Sequence, residues 1–449
     1  MQQDAQGLAV STASEAAARA FDHVIAGYLG YRADTPVRLA ALLEADPDFP
    51  LAHCLKGYLT MLQFKQAAWP AAADCAATAQ ALGRHATPRE RAHMAALQAW
   101  SGDAIDRAIG IWEGILAEHP HDVLAFRLAH FNNFWLGRPG AMAASAERVV
   151  PRWSAALPGY GSVLGCHCFA LEECGEYAAA EPAGRWAVEL DPGDMWATHA
   201  VAHIMEMQGR RREGIAWLGA LAANWEGGNN LQHHLWWHCA LYHLEHGDTA
   251  AVLGLYDRRF RNLASPLVQA QPDVYIDVQN ACSMLFRLQR LGVEVGDRWD
   301  ELADKAEARI GDCASAFTLP HWMMALAATG RAEAARRMLG AMREFANGTG
   351  TIACLVRECA LPVAEAVWAH GQGRFAEAVE TMRPALGGMY RLGGSHAQQD
   401  VLEQLFLDSA LRAGLEDDVR LALERQAGRQ ALPPERWVGW RGAAQRYPL

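Results

Sequence analysis

Glycines that recur at a nearly constant spacing constrain the fold of this chain more than any other feature. Stretches with helical apolar periodicity are each followed by a glycine, and successive glycines lie 34 to 45 residues apart. Because glycine readily closes a helix in the left-handed conformation, this pattern predicts repeated helix–glycine–helix units. The glycines concerned are Gly102, Gly137, Gly175, Gly209, Gly247, Gly292, Gly330, Gly373 and Gly414.

One unit, residues 158–192, shows the residue pattern of a tetratricopeptide repeat. Positions 15, 17, 20, 27 and 32 of that repeat would be occupied by Gly175, Tyr177, Ala180, Ala187 and Pro192. Apolar runs with the alternation of β-strands are almost absent. We therefore predict an all-α fold, a right-handed α-solenoid of about ten tetratricopeptide-like helix hairpins. One continuous domain is expected over residues 1–449, with irregular connections near 347–351 and 386–395.

The charge and apolar content of the sequence disfavour several kinds of partner and location. The chain has 40 Lys and Arg against 51 Asp and Glu, a net charge of −11 and no basic block, which disfavours nucleic acid as a partner. The N-terminus lacks the basic and apolar parts of a secretion signal, and no apolar run is long enough for a membrane span. A cytoplasmic location is expected. Glycine motifs that cradle phosphates are absent, so nucleotide cofactors are not expected.

Two histidine-rich segments, residues 194–209 and 229–247, are the candidate functional region. Read as a helix, the first places His199, His203 and Glu206 on one face, at spacings of four and three. In tetratricopeptide numbering these residues occupy positions 5, 9 and 12, which face the concave surface of the repeat array. The second segment places His234 and His238 one turn apart. The pattern predicts a polar site in the concave face.

The chemistry of that site stays open between two alternatives. Two histidines four residues apart on a helix can share a divalent ion, which makes His199, His203 and His234 metal candidates, with zinc, iron or manganese as the ion. Without a metal, histidine beside glutamate can act as a general base, and then His203, Glu206 and His238 are the catalytic candidates. The cofactor is otherwise unknown. Candidates for substrate contact are Trp237, Arg127, Asp277, Asn280 and His396.

Several segments are longer than the repeat consensus alone explains. They are TPRERAHMAALQAW (87–100), RLAHFNNFWLG (127–137), PGYGSVLGCHCFALEECGEY (158–177), WATHAVAHIMEMQGRRREGIAWL (196–218), HHLWWHCALYHLEHGD (233–248), DVYIDVQNACSMLFRL (273–288) and GGSHAQQDVLEQLFLDSALRAG (393–414). In these segments the chain resembles the tetratricopeptide repeat protein 38 family. The resemblance covers nearly the whole chain. It implies a helical-repeat fold and no particular reaction.

Two functions from different classes follow, with a third alternative. The first is a small-molecule binder with a His/Glu/Trp-lined pocket, in which metal-assisted or His/Glu-assisted hydrolytic or acid/base catalysis is open. The second is an interaction module that holds a peptide or partner protein in the concave groove. The third is a homodimer whose inward histidines are structural. Peptide grooves that bind carboxylates carry Lys, Arg and Asn inward, whereas the central repeats here offer His, Glu and Trp. This difference favours the pocket.

Overall fold

Helices make up most of the computed structural model, which describes all 449 residues. Helical residues account for 73% of the chain, so the predicted all-α helical-repeat fold is confirmed. The exception is one short antiparallel strand pair, Gln2–Gln3 with Ala9–Val10, in the register Gln2 to Val10. None of the helices combines the length and the apolar character that a membrane-spanning segment needs.

The chain divides into two compact units. Unit 1 contains Met1–Phe134, Arg138–Val201 and Leu221–Leu231, and unit 2 contains Trp135–Gly137, Ala202–Ala220 and Gln232–Leu449. The prediction of one continuous domain stays a prediction.

Unit 1 is built from helices that pair with their neighbours in sequence. Close packing joins α1 to α2, α3 to α4, α5 to α6 and α9 to α10. The helices are α1 Glu15–Leu29, α2 Thr35–Ala45, α3 Pro50–Met61, α4 Trp69–Leu82, α5 Pro88–Ser101, α6 Ile105–Glu118, α7 Val123–Trp135, α8 Pro139–Val149, α9 Tyr160–Glu173 and α10 Tyr177–Leu190. Short turns between packed consecutive helices produce hairpins, the unit expected of the repeat.

Unit 2 carries the candidate site and follows the same plan. Its hairpins include α17 with α18, α21 with α22 and α23 with α24. The helices that follow α10 in the chain are α11 Met195–Met207, α12 Arg211–Leu221, α13 Leu231–Glu245, α14 Thr249–Leu255, α15 Pro266–Ala270, α16 Tyr275–Arg290, α17 Arg298–Ala308, α18 Thr318–Ala328, α19 Ala332–Phe345, α20 Thr351–Leu355, α21 Leu361–Gly371, α22 Phe375–Met382, α23 His396–Ala413, α24 Glu416–Arg429 and α25 Arg441–Arg446. Helix α11 begins in unit 1 and ends in unit 2.

Shorter helical turns join these elements. Two five-residue π-helices extend α14 and α20, at Tyr256–Phe260 and Val356–Ala360. The 3₁₀ turns are Gln66–Ala68, Gly83–His85, Val150–Arg152, Ala222–Trp225, Arg383–Ala385, Met389–Leu392 and Pro434–Arg436. Irregular connections were predicted near residues 347–351 and 386–395. Residues 347–350 lie outside the helices, Thr351 already begins α20, and residues 386–395 contain turns and one 3₁₀ segment.

The recurrent glycines lie where the repeat predicts them, between the helices of successive hairpins. Eight of the nine have a positive φ, from 64° at Gly137 to 82° at Gly175. Gly102 differs: its φ is −98°, and the following residue, Asp103, takes the left-handed conformation with φ 57°. The left-handed turn is therefore kept at every hairpin, displaced by one residue in the first.

Helices α13, α16 and α23 supply most of the interior of unit 2 near the candidate site. Helix α16 is buried without interruption from Asp277 to Leu288, and it packs against α18 and α23. The Tyr242 hydroxyl on α13 donates a 2.6 Å hydrogen bond to the Ala202 carbonyl of α11. A Cβ atom at Gly214 on α12 would lie 2.3 Å from the Tyr242 ring, so glycine is required for this close packing. These contacts fix α11 and α13 side by side.

Candidate functional site

Helices α11 and α13 bring the predicted polar residues of unit 2 together. His203 and Glu206 lie one turn apart near the end of α11, and His234 and His238 lie one turn apart on α13. All four are buried, with exposed fractions of 0% to 6%. The helical spacing recognised in the sequence thus produces a buried polar group in the interior of unit 2.

Three of these side chains form what we call the imidazole cluster: His203, His234 and His238. Each offers a ring nitrogen, and these nitrogen atoms lie within 4.8 Å of one another. The ring centres of His203 and His238 are 4.4 Å apart, and those of His234 and His238 are 4.7 Å apart, in edge-to-face orientation. Three imidazoles therefore converge on one point.

Hydrogen bonds at Nδ1 orient two of the rings. His234 Nδ1 lies 2.9 Å from Oδ1 of Asn280, and because an amide oxygen only accepts, the imidazole donates. His238 Nδ1 lies 2.7 Å from Oε2 of Glu206. The adjacent His233 makes a similar contact, with its Nδ1 at 3.0 and 3.1 Å from the two carboxylate oxygens of Asp277. Helix α16 therefore supports the histidines of α13 through Asp277 and Asn280.

Burial controls the protonation of these groups. It lowers the pKa of His203 well below its usual value, and the charged forms of His234 and His396 act in the same direction. Burial also lowers the pKa of His234 to about 4, against the opposing effect of its hydrogen bond to Asn280. Both rings are consequently neutral at pH 7. Burial raises the pKa of Glu206 to about 8, and Arg287 only partly offsets it.

A cavity of about 400 Å³ adjoins the cluster within unit 2, and Glu206 forms part of its wall. Its lining mixes carboxyl, guanidinium and amide groups with apolar side chains. The polar and charged residues of the wall are Glu206, Glu245, Arg287, Arg290, Asp400, Gln404, Asp408, Gln426, Gln430 and Arg446. Since Glu206 contacts both His238 and the cavity, it links the two.

The two arginines of the cavity wall form long ion pairs. Arg287 and Asp400 are 3.3 Å apart, and Arg290 and Asp408 are 3.4 Å apart. Charge-assisted N–H···O bonds are normally 2.7–2.9 Å long. The shorter hydrogen bonds of these arginines go to neutral oxygen atoms, the Ala397 carbonyl at 2.9 Å and Oε1 of Gln404 at 2.6 Å.

A segment after the last repeat, residues 432–446, completes one side of the cavity; we call it the C-terminal segment. The Val438 amide donates to the carboxylate of Glu245 at 3.1 Å. Trp440 Nε1 donates to Oδ1 of Asp400 at 2.8 Å, and Arg290 donates to the Gly439 carbonyl at 3.2 Å. Trp437 and Val438 lie in the cavity wall. The segment is held by the same charged residues that line the cavity.

Two of the predicted site residues lie in unit 1. His199 is on α11 one turn before His203, within the part of the helix that belongs to unit 1. Arg127 is buried on α7, where it donates to Cys166 Sγ at 2.9 Å and lies over the Trp196 ring at 4.5 Å.

The other predicted substrate contacts lie in unit 2. Trp237 is buried and stacks on His234, with ring centres 5.1 Å apart. Asp277 and Asn280 bind histidines of α13, and His396 begins α23 immediately before Ala397 of the cavity wall. These residues surround the imidazole cluster more than the cavity. Their assignment as substrate contacts stays a prediction.

Sequence reasoning missed the arginines of the cavity. Arg287 and Arg290 lie three residues apart at the end of α16, in the stretch SMLFRLQRL, five of whose nine residues are apolar. Two arginines among core-forming residues of a helix indicate a buried polar surface. That pattern was available from the sequence. The C-terminal segment was not, because it follows the last repeat and lacks periodicity.

Comparisons with known proteins give distant likenesses only. No protein-family profile matches the chain. Among solved structures it is similar to the human IFIT1 dimer with m7Gppp-AAAA, at 11% identity and a TM-score of 0.40, over 90% of this chain and 94% of that chain. Yeast Tom70 matches at 10% identity and a TM-score of 0.38, over 95% and 87%. The Naa15/Naa10 complex bound to HypK-THB matches at 12% and 0.26, over 96% and 73%. No functional assignment follows from these likenesses.

Proposed function

We propose that this helical-repeat protein binds a small polar molecule in the cavity of unit 2. The ligand carries at least one carboxylate or phosphate group. The observation that carries the proposal is a cavity of about 400 Å³ whose wall contains several charged groups, among them the buried Glu206 and Arg287. Small-molecule sites commonly enclose about 300–1,000 Å³ and contain a few convergent polar groups.

The arginines of α16 favour an anionic group on the ligand. Arg287 and Arg290 lie one turn apart and both contribute to the wall. Their carboxylate partners, Asp400 and Asp408, lie beyond the length of a strong ion pair. A carboxylate or phosphate between the two guanidinium groups would form shorter, charge-assisted hydrogen bonds than the ones it replaces.

The cavity wall also contains hydrogen-bond acceptors for another part of the ligand. Glu206 and Glu245 lie in the same wall, and the buried Oε1 atom of Gln430 accepts no hydrogen bond within the protein. These oxygen atoms suit N–H or O–H donors. We therefore propose a ligand with both an acidic group and hydrogen-bond donors.

His203, Glu206 and His238 remain our candidates for chemistry on the bound molecule. Glu206 reaches the cavity directly, while His238 acts on it through the 2.7 Å hydrogen bond. Binding is the function that we propose, and turnover is an additional property to be tested with the first ligand found.

Thermal-shift screening of the full chain tests the proposal, with panels of small carboxylates, phosphates and amines and with random peptides. Calorimetry then measures the affinity of each hit. Arg287→Gln is expected to weaken a true ligand by roughly 10- to 100-fold, the equivalent of one charge-assisted hydrogen bond. Arg336→Gln is the matched control, because Arg336 is exposed on α19. Stabilisation by peptides alone, or hits indifferent to Arg287→Gln, would refute the pocket and favour the interaction module.

A further inference from the structure

We infer that His203, His234 and His238 form a binding site for one divalent transition-metal ion, with zinc as the matching ion. The site is distinct from the cavity and touches it through Glu206. The inference does not depend on the identity of the small molecule. It assigns the third ligand position to His238, whose ring lies between the other two.

Distances within the imidazole cluster fit a single ion. Zinc binds imidazole nitrogen at about 2.0–2.1 Å in tetrahedral geometry, which places ligand atoms roughly 3.4 Å apart. The candidate nitrogen atoms already lie within 4.8 Å of one another. Binding of an ion would draw these nitrogen atoms together by at most about 1.4 Å.

The hydrogen bonds at Nδ1 are those that metal-binding histidines normally make. Such a histidine usually donates its second ring N–H to a carboxylate or carbonyl oxygen, which fixes the tautomer and aims the other nitrogen at the metal. His234 donates to Oδ1 of Asn280, and His238 contacts the carboxylate of Glu206. The His234 ring is therefore oriented with Nε2 as the ligand atom, and Glu206 lies where an ionised carboxylate would orient His238 in the same way.

Core packing explains these three buried histidines less well than metal binding does. Burial of a polar ring costs free energy, and apolar side chains of similar size would fill the same volume without that cost. Here three imidazoles are 0% to 2% exposed, and they lie against one another on adjacent helices. A shared ion accounts for their convergence, because each imidazole can give one lone pair to the metal.

The donor set selects the kind of ion. Three imidazole nitrogens suit zinc, copper or nickel, whereas magnesium and calcium require oxygen ligands. Zinc with three protein ligands keeps a fourth position for water or for a ligand atom, as in catalytic zinc sites.

Metal titration of the full chain tests the inference. Protein stripped with a chelator is titrated with Zn²⁺ by calorimetry, and with Co²⁺, whose visible absorption reports tetrahedral coordination. We expect about one ion per chain. His234→Ala and His238→Ala should each lower the affinity at least 100-fold, and Asn280→Ala should lower it roughly 10- to 100-fold. His321→Ala is the control, since His321 is buried on α18 and bonded to the Phe317 carbonyl.

The outcomes that overturn the inference are equally defined. Stoichiometry near zero for the wild-type protein, or affinity unchanged in both histidine variants, excludes the site. Circular dichroism of each metal-free variant establishes that it is folded. If the histidine variants do not fold, the wild-type Co²⁺ spectrum together with Asn280→Ala decides. Small-molecule binding is measured on the metal-free protein, so failure of the metal site and failure of the proposed function give different results.

Discussion

Replacing Glu245 by Gln should stabilise the protein at alkaline pH and leave it unchanged at acidic pH. Glu245 closes α13 and lies in the cavity wall, with 13% of its side chain exposed. Burial raises its pKa from 4.5 to about 7, although Arg211 lies only 2.9 Å away and the Val438 amide donates to it. Desolvation thus outweighs the ion pair, and the folded protein holds a carboxylate at a net cost.

The direction and size of the effect follow from proton linkage. Because the folded-state pKa lies above the unfolded value, the folded protein binds the proton more tightly. The contribution of Glu245 to stability is full below pH 4.5 and is lost as the pH rises to about 7. A difference of two to three pH units corresponds to about 3 kcal/mol. Gln is uncharged like the protonated carboxyl, so the variant does not lose this stability as the pH rises.

Urea unfolding of the wild type and Glu245→Gln, followed by tryptophan fluorescence at pH 4 and pH 8, measures the difference. The two proteins should match near pH 4, and the variant should be more stable by about 3 kcal/mol at pH 8. Glu333→Gln is the control for a general charge effect, because Glu333 is exposed on α19. A variant that is less stable than the wild type at pH 8 would refute the reasoning, since the ion pair with Arg211 would then outweigh burial.

Two further predictions concern local structure in unit 2. Gly209→Ala should lower the free energy of unfolding by about 1–2 kcal/mol because of the left-handed backbone, and by a smaller further amount because its Cβ would lie 2.5 Å from Leu432. Gly247→Ala is the control: Gly247 has φ 76° and open space around it, so this variant should show the backbone effect alone. Equal losses in urea unfolding would exclude the contact with Leu432. Ser395→Ala should cost about 1 kcal/mol, because it removes the capping box of α23. Ser395→Asp should keep most of that stability, and equal destabilisation by both substitutions would show that capping is not the cause.

The repeat fold could be predicted because its rules are local. A glycine in the left-handed conformation ends a helix wherever it occurs, so spacing alone located hairpin turns such as those at Gly175 and Gly247. The exception at Gly102 arises since Asp103 also tolerates that conformation. Sequence spacing carried no information about the division into two units, which depends on contacts between distant residues.

The candidate site could be predicted only in part, because sequence patterns report local structure and not the packing between helices. Helical periodicity put His203 beside Glu206 and His234 beside His238. Which residue of α16 would face these histidines depends on how the helices pack, and Asn280 was identified only as one polar residue among several. Partners separated by 32 to 46 residues, as in the bonds of His238 and His234, are fixed by tertiary structure.

The C-terminal segment forms one side of the cavity, whereas helices of the repeats form the rest of the wall. Its contacts with the cavity come from an indole N–H, a backbone amide and a carbonyl, and it belongs to no helix hairpin. Substitutions within residues 432–446 can therefore alter the shape and polarity of the binding space without disturbing the register of any repeat. A short segment outside the repeat geometry thus allows one side of the cavity to change in sequence while the helix hairpins stay the same.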